Sequence, residues 1–190
     1  MASVFHIMFL PALIFVSAML QVRWTTPLQT SLTIEAFDRE DQVVECLEST
    51  LQARIRFEVR VCRRRSGWLD HCEDARTELH TAEFDEVTES YRVVSDRLGD
   101  EAEAIAVGLP TRTEAVKAIR TLDNFPLAFL IRDEREILSN SKAYLQIRTI
   151  FTCRGGNNRT LAHLSRILTL GLLNTVEDRS DWSDFSLSQP

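Results

Sequence analysis

The chain has 190 residues, 44% of them apolar and 26% charged, with few Gly and Pro; that excludes a disordered or low-complexity chain and allows one core-bearing domain. Its net charge of −6, with Arg far commoner than Lys, argues against the broad basic surface that a nucleic-acid binder needs to displace counterions from phosphates. The acidity leaves room for a local basic patch, and the chain contains one.

The first stretch, Val4 to Leu20, reads VFHIMFLPALIFVSAML without a single Lys, Arg, Asp or Glu. Its core, Ile7 to Leu20, has the length of a signal-peptide apolar region and falls short of the roughly 20 residues that span a bilayer comfortably. Val16-Ser17-Ala18 presents small or tolerated residues to a signal peptidase, so cleavage after Ala18 is expected. The basic start of such peptides is missing, however: only the α-amino group and His6 supply positive charge, and Arg23 lies on the wrong side. Residues 1–24 are therefore a signal peptide or an uncleaved anchor, in which residues 4–20 hold the chain at the inner membrane. Residues 25–190 then form a single exported, periplasmic domain. The competing reading is a buried core helix, against which stand Pro11 and the lack of a polar face.

Thr25 to Thr30 is a polar linker. Leu32, Ile34 and Ala36 then alternate with Thr33, Glu35 and Phe37, the mark of a strand with one buried face. From Asp38 to Thr50 the period changes. Val43, Val44, Leu47 and Leu51 recur at helical spacing, which predicts a short amphipathic helix opened by Asp38 or Asp41. Arg54 to Arg64 is the clearest strand, with Ile55, Phe57, Val59 and Val61 on one face and Arg56, Glu58, Arg60 and Cys62 on the other. Such alternation suits an antiparallel sheet with one wet side.

After a turn at Ser66-Gly67, Ala75 to Phe84 is a strand with Ala75, Thr77, Leu79 and Thr81 alternating against charged residues. A turn at Asp85-Glu86 leads to Thr88 to Ser95, where Tyr91 and Val93 share a face. Gly99-Asp100-Glu101 is a solvated loop, and Ala104 to Leu109 a short apolar strand. Pro110-Thr111 opens a helix, with Thr111 and Glu114 spaced as a capping box. Val116, Ile119 and Leu122 form its inward stripe, and Asn124 with Pro126 stops it. Leu127 to Ser141 carries no clear period.

Ala143 to Thr152 is again a strand, with Leu145, Ile147 and Thr149 alternating against Tyr144, Gln146 and Arg148. Gly155 to Asn158 is a turn. Thr160 to Leu173 is a helix with Leu161, Leu164, Leu168 and Leu172 on its apolar face, and Asp181 to Leu187 is a candidate return strand. Consecutive strands joined by short turns predict an α+β fold: an antiparallel sheet or sandwich-like meander with two or three packed helices.

Four cysteines, Cys46, Cys62, Cys72 and Cys153, form an even set that can bridge outside the cytosol, and four allow three connectivities. Cys62 and Cys72 bracket RRRSGWLDH, so a bridge across a hairpin is sterically natural there. No CxxC pair points to zinc.

Taken together, several pieces resemble the exported bacterial proteins grouped as domain of unknown function 4390. They are the strand ending in Arg63-Arg64-Arg65 with Trp68 and Leu69 just after, the paired strands ELHTAEFDEVTESYRVV around Leu79, Phe84 and Tyr91-Arg92-Val93, the passage TRTEAVKAIRTLDNFPLA with Ala115, Leu122, Asn124 and Pro126, and the terminal Asp181-Trp182-x-x-Phe185. The likeness runs from about Leu32 to Leu187 and lies in the order of the motifs. The chain departs from the family pattern after its last long strand, where a Gly-Asn turn and a Leu-rich helix replace a short proline-containing segment. The resemblance implies an envelope location. The family has no established activity, so no catalytic residue carries over.

Among chemistry-bearing residues, Cys72 adjoins His71, but neighbours on a strand point to opposite faces and cannot pair as nucleophile and base. The bland reading is a disulfide cysteine with solvated His71 and His80. His71, His80, Asp70 and Asp74 show no HxH or HExxH spacing for a metal, and His163 reads as a helix-surface residue. Gly155-Gly156-Asn157-Asn158 lacks the order and the Lys of a phosphate loop. No catalytic residue, cofactor or metal is therefore expected. The candidate contact surface is Arg63, Arg64, Arg65, Trp68 and Leu69, whose guanidinium groups and Trp suit lipid headgroups; the alternative is a strand end whose Trp covers the core edge. The expectation is a non-enzymatic envelope module that binds a protein partner or an anionic membrane surface. The alternative is an enzyme built from sequence-distant carboxylates such as Asp85, Glu86 and Glu89.

Overall fold

The computed structural model describes residues 20–24, 31–98, 104–130, 142–154 and 177–187. Within them lie eleven strands and two α-helices: β1 (Leu20–Trp24), β2 (Ser31–Ala36), α1 (Glu40–Glu48), β3 (Gln52–Arg63), β4 (His71–Cys72), β5 (Arg76–Asp85), β6 (Ser90–Leu98), β7 (Ile105–Leu109), α2 (Arg112–Arg120), β8 (Thr121–Pro126), β9 (Ala143–Arg154), β10 (Glu177–Arg179) and β11 (Ser183–Ser186). Every strand pairing is antiparallel. A three-stranded sheet runs β1-β2-β8, and an eight-stranded sheet runs β10-β9-β3-β5-β6-β7, with β11 also on β9 and β4 on β3. The fold is α+β and dominated by antiparallel sheet.

The expected alternation in β3 is the organising feature. Ile55, Phe57, Val59 and Val61 are buried on one face, and opposite them on β9 stand Phe151, Thr149, Ile147 and Leu145. Leu32, Ile34 and Ala36 of β2, Leu122 and Phe125 of β8, Val43 and Leu47 of α1, and Ala115 and Ile119 of α2 join the same buried cluster. Both sheets and both helices thus share one core. Removing a wholly buried ring such as Phe57 costs about 3–5 kcal/mol, a large part of a small domain's stability.

Several expectations need correction. The sheet takes in Leu20–Trp24, on the targeting side of the boundary at residue 24, because this segment pairs in register with β2 from Leu20↔Ala36 to Trp24↔Leu32. Neither Asp38 nor Asp41 caps α1: a single 3-10 turn, Phe37–Arg39, precedes it, and no side chain bonds its first amides. Asp38 is turned to Arg39 instead, at 3.2 Å. Glu40 and Asp41 occupy the first turn, where the helix dipole favours negative charge.

Thr111 does cap α2, accepting the Glu114 amide at 3.2 Å and donating to the Glu114 carboxylate at 2.8 Å. The helix ends at Arg120, however, and Leu122 belongs to β8, where it faces Ile34. A β-branched Thr121 followed by Asp123 and Asn124 holds a helix poorly, and pairing with β2 supplies the backbone partners instead. Asn124, at φ 53°, sits where the β2–β8 register shifts between Leu32 and Ile34, a conformation that Asn tolerates.

The face of β5 is inverted relative to expectation. Its buried residues are Glu78, His80 and Ala82, with Thr77, Leu79 and Thr81 half-buried on the other side. The loop expected at Gly99 to Glu101, the turn expected at Gly155 to Asn158 and the helix expected at Thr160 to Leu173 fall outside the described residues, as does nearly all of the apolar run 4–20. Among the described residues no helix is long and apolar enough to cross a membrane.

Candidate functional site

The basic-aromatic segment leaves the sheet at the end of β3 and returns through β4. Cys62 and Cys72 face each other across this pair, Cα atoms 4.0 Å apart, and are joined as a disulfide. The other two cysteines, Cys46 of α1 and Cys153 of β9, are bridged with Cα atoms 5.8 Å apart. Gly67, at φ +79°, makes the turn, a backbone conformation that side chains with a Cβ rarely adopt. The Arg64 amide donates to the Lys142 carbonyl at 3.0 Å and the Glu73 amide to the Val61 carbonyl at 2.9 Å, which tie the loop to its neighbours.

Asp70 holds the inside of the loop. Its carboxylate accepts the Tyr144 hydroxyl at 2.6 Å and the Arg65 amide at 3.3 Å. Those two donors, the hydroxyl foremost, keep Asp70 below the usual carboxylate range. The same bond and charge, with burial, push the Tyr144 phenol up to about 12. The Arg64 guanidinium stacks over the Tyr144 ring, 5.3 Å from its centroid. With its base stapled and its interior bonded, the loop presents Trp68 at 83% exposure and Leu69 at 93%, beside exposed Arg64 and Arg65. Trp68 does not cover the core edge; the structure removes that alternative.

His71 and His80, paired in expectation as solvated histidines, are separated. His71 is exposed, with Nε2 3.9 Å from Glu73. His80 is 3% exposed under α2, which corrects the sequence expectation. Its Nδ1 lies 3.2 Å from the Ile119 carbonyl and its Nε2 3.3 Å from Glu78, so both ring nitrogens face acceptors. Arg97 of β6 donates to the other Glu78 oxygen at 3.1 Å. Burial alone pushes Glu78 up, but the hydrogen bonds and charges of His80 and Arg97 outweigh it and hold the carboxyl below its ordinary value.

Sequence reasoning missed this Glu78–His80–Arg97 cluster. The alternation along β5 offered two mixed faces of similar polarity. Only pairing with β3, which sets Glu78 beside Phe57 and His80 beside Ile55, turns the charged face inward.

A second unforeseen feature lies on the outer face. Trp182 packs against two guanidinium groups, Arg60 at 4.1 Å and Arg148 at 4.2 Å from its ring centroid. Gln146 accepts from Arg60 at 2.9 Å and donates to Asp184 at 2.9 Å, which ties β11 to this cluster.

Asp85, Glu86 and Glu89 gather at the β5–β6 turn. Asp85 accepts the amides of Val87 at 2.9 Å and Thr88 at 3.4 Å, and the Val87 bond above all keeps its carboxyl low. That is the chemistry of a turn. A cleft of about 270 Å³ between α1 and α2 is bordered by Glu40, Arg112 and Arg120, and a cavity of about 110 Å³ by Leu32, Leu145 and Phe185. Neither reaches the carboxylate turn or His80. In the larger cleft Arg120 lies 2.8 Å from Glu40, and Arg112 lies 2.5 Å from Glu48, so opposite charges neutralise one another. Among the described residues no three His, Cys, Asp or Glu side chains gather as a metal set.

Compared with protein-family models, curated proteins and solved structures, the chain matches none.

Proposed function

We propose that this chain is a non-enzymatic contact module of the cell envelope that docks on anionic membrane through its Arg64–Leu69 tip. The observation that carries the reading is the exposure of Trp68 and Leu69, 83% and 93%, on a loop fixed by the Cys62–Cys72 bridge and by Asp70. Two exposed apolar side chains flanked by guanidinium groups suit shallow insertion among headgroups. Each basic residue beside them adds on the order of 1 kcal/mol at an anionic surface. Export, by residues 4–20 acting as signal or anchor, puts the tip beside a membrane. The order of the motifs supports placing the chain with the exported proteins of domain of unknown function 4390. One core shared by both sheets supports a sandwich-like domain.

The test is co-sedimentation of the purified chain with vesicles of phosphatidylcholine alone or mixed with phosphatidylglycerol. Binding is expected only to the anionic vesicles. Arg64→Glu with Arg65→Glu, and separately Trp68→Ser with Leu69→Ser, should each weaken it at least about tenfold, the equivalent of about 1.4 kcal/mol. Equal binding by wild type and both variants, or no binding at all, removes membrane docking and leaves an envelope protein as the tip's partner.

A further inference from the structure

We infer that β7 is an assembly edge through which two copies of this chain pair, antiparallel, about a two-fold axis at Val107. This proposal is independent of the membrane reading. Among the described residues β7 pairs with β6 alone and ends the eight-stranded sheet. An edge strand presents a row of free amides and carbonyls, and proteins normally blunt such edges with charge, proline, a bulge or shortness. The other edges here follow that habit. β1 carries Arg23, β8 carries Asp123, Pro126 and the irregular Asn124, β10 is Glu177-Asp178-Arg179, and β11 includes Asp184. By contrast, β7 reads Ile105-Ala106-Val107-Gly108-Leu109, with no charge and no proline.

The side chains make the same point. Val107 stands opposite Val93, and Ile105 opposite Ser95, so both continue the face that buries Ala82 and Val93 in the core. Yet Ile105 is 68% exposed and Val107 48%. The inner face therefore runs past its cover at this edge. Strand addition by a foreign peptide draws its specificity from pockets for alternate side chains, and neither cavity borders β7. A second copy needs no pocket. With Val107 on the axis, Ile105 faces the partner's Leu109, Ala106 faces Gly108, and Val107 faces itself. Apolar residues then meet apolar residues, and no like charges are opposed, as a self-complementary interface requires.

The experiment measures the mass of the full chain, with its N-terminal segment as cells leave it, by sedimentation across a range of concentrations up to about 1 mM. Wild type should shift from monomer to dimer. Val107→Lys sets two ammonium groups face to face on the axis and should weaken the dimer at least about tenfold. Ala106→Lys places a charge on the exposed outer side of the same edge and should act likewise without touching the core face. Circular dichroism checks that both variants fold. Val87→Lys, at an equally apolar exposed position in the β5–β6 turn, and Trp68→Ser with Leu69→Ser should leave the dimer intact. A chain that stays monomeric throughout, one that forms open polymers, or a dimer indifferent to both edge lysines overturns the proposal. So does a dimer that the tip or turn variants dissolve.

Discussion

Tyr144 on β9 donates its hydroxyl to Asp70, 74 residues earlier in the chain, at 2.6 Å. That bond joins the basic-aromatic loop to the strand beneath it. It also makes Tyr144 a reporter, since a carboxylate beside a phenol opposes its ionisation and raises it to about 12 from 10.0. In Asp70→Asn the phenol should ionise closer to its ordinary value. An ultraviolet titration of phenolate distinguishes the two forms, because the chain has only two tyrosines. An unchanged high-pH step in the variant sinks the assignment.

Glu78 is buried, paired with His80 and Arg97, and held below its ordinary carboxyl value. A depressed folded-state value means that the carboxylate's contribution is complete above the unfolded value, about 4.3, and drains away as pH falls through the folded one. At neutral pH, Glu78→Gln should therefore cost about 2 kcal/mol, in line with losing charge-assisted hydrogen bonds. Its stability should also fall less steeply than wild type below about pH 4. Urea unfolding across that range tests both; parallel pH profiles would exclude the role given to Glu78.

The two disulfides close loops of very different size, with sequence separations of 107 for Cys46–Cys153 and 10 for Cys62–Cys72. Loop-closure entropy grows with loop length, so on that account the long bridge contributes about 5 kcal/mol and the short one about 3. Cys46→Ala with Cys153→Ala should lower the urea midpoint more than Cys62→Ala with Cys72→Ala. The reverse order would mean that native contacts, and not the unfolded chain, set these contributions.

Trp182 stacks on both Arg60 and Arg148, and each such contact is worth about 0.5–1 kcal/mol when partly exposed. Trp182→Leu should thus destabilise by about 1–2 kcal/mol. A double-mutant cycle with Arg60→Met isolates one contact, and a coupling near zero would show that the ring merely covers the strand. In this arrangement Trp182 and Asp184 fasten the returning strand β11 to the outer face, an arrangement that the aspartate, tryptophan and phenylalanine of the tail did not by themselves reveal.

The inward faces of β2, β3 and β9 and the start of α2 could be read from residue order, because period-two alternation and a capping pair are local properties of the chain. Ile55, Phe57, Val59 and Val61 must share a face wherever that strand lies. The Cys62–Cys72 bridge was legible for the same reason, since a short hairpin brings its ends together. The burial of Glu78 and His80, the pairing of Thr121–Pro126 with β2, the partner of Cys46 and the exposure of Trp68 depended on which distant segment came to lie alongside. β5 has two faces of similar polarity, and contact with Phe57 and Ile55 chose between them. Leu122 suits the inner stripe of a helix as well as a strand, and the free edge of β2 took it for the sheet. Local pattern decides which residues point together; non-local pairing decides which way they point.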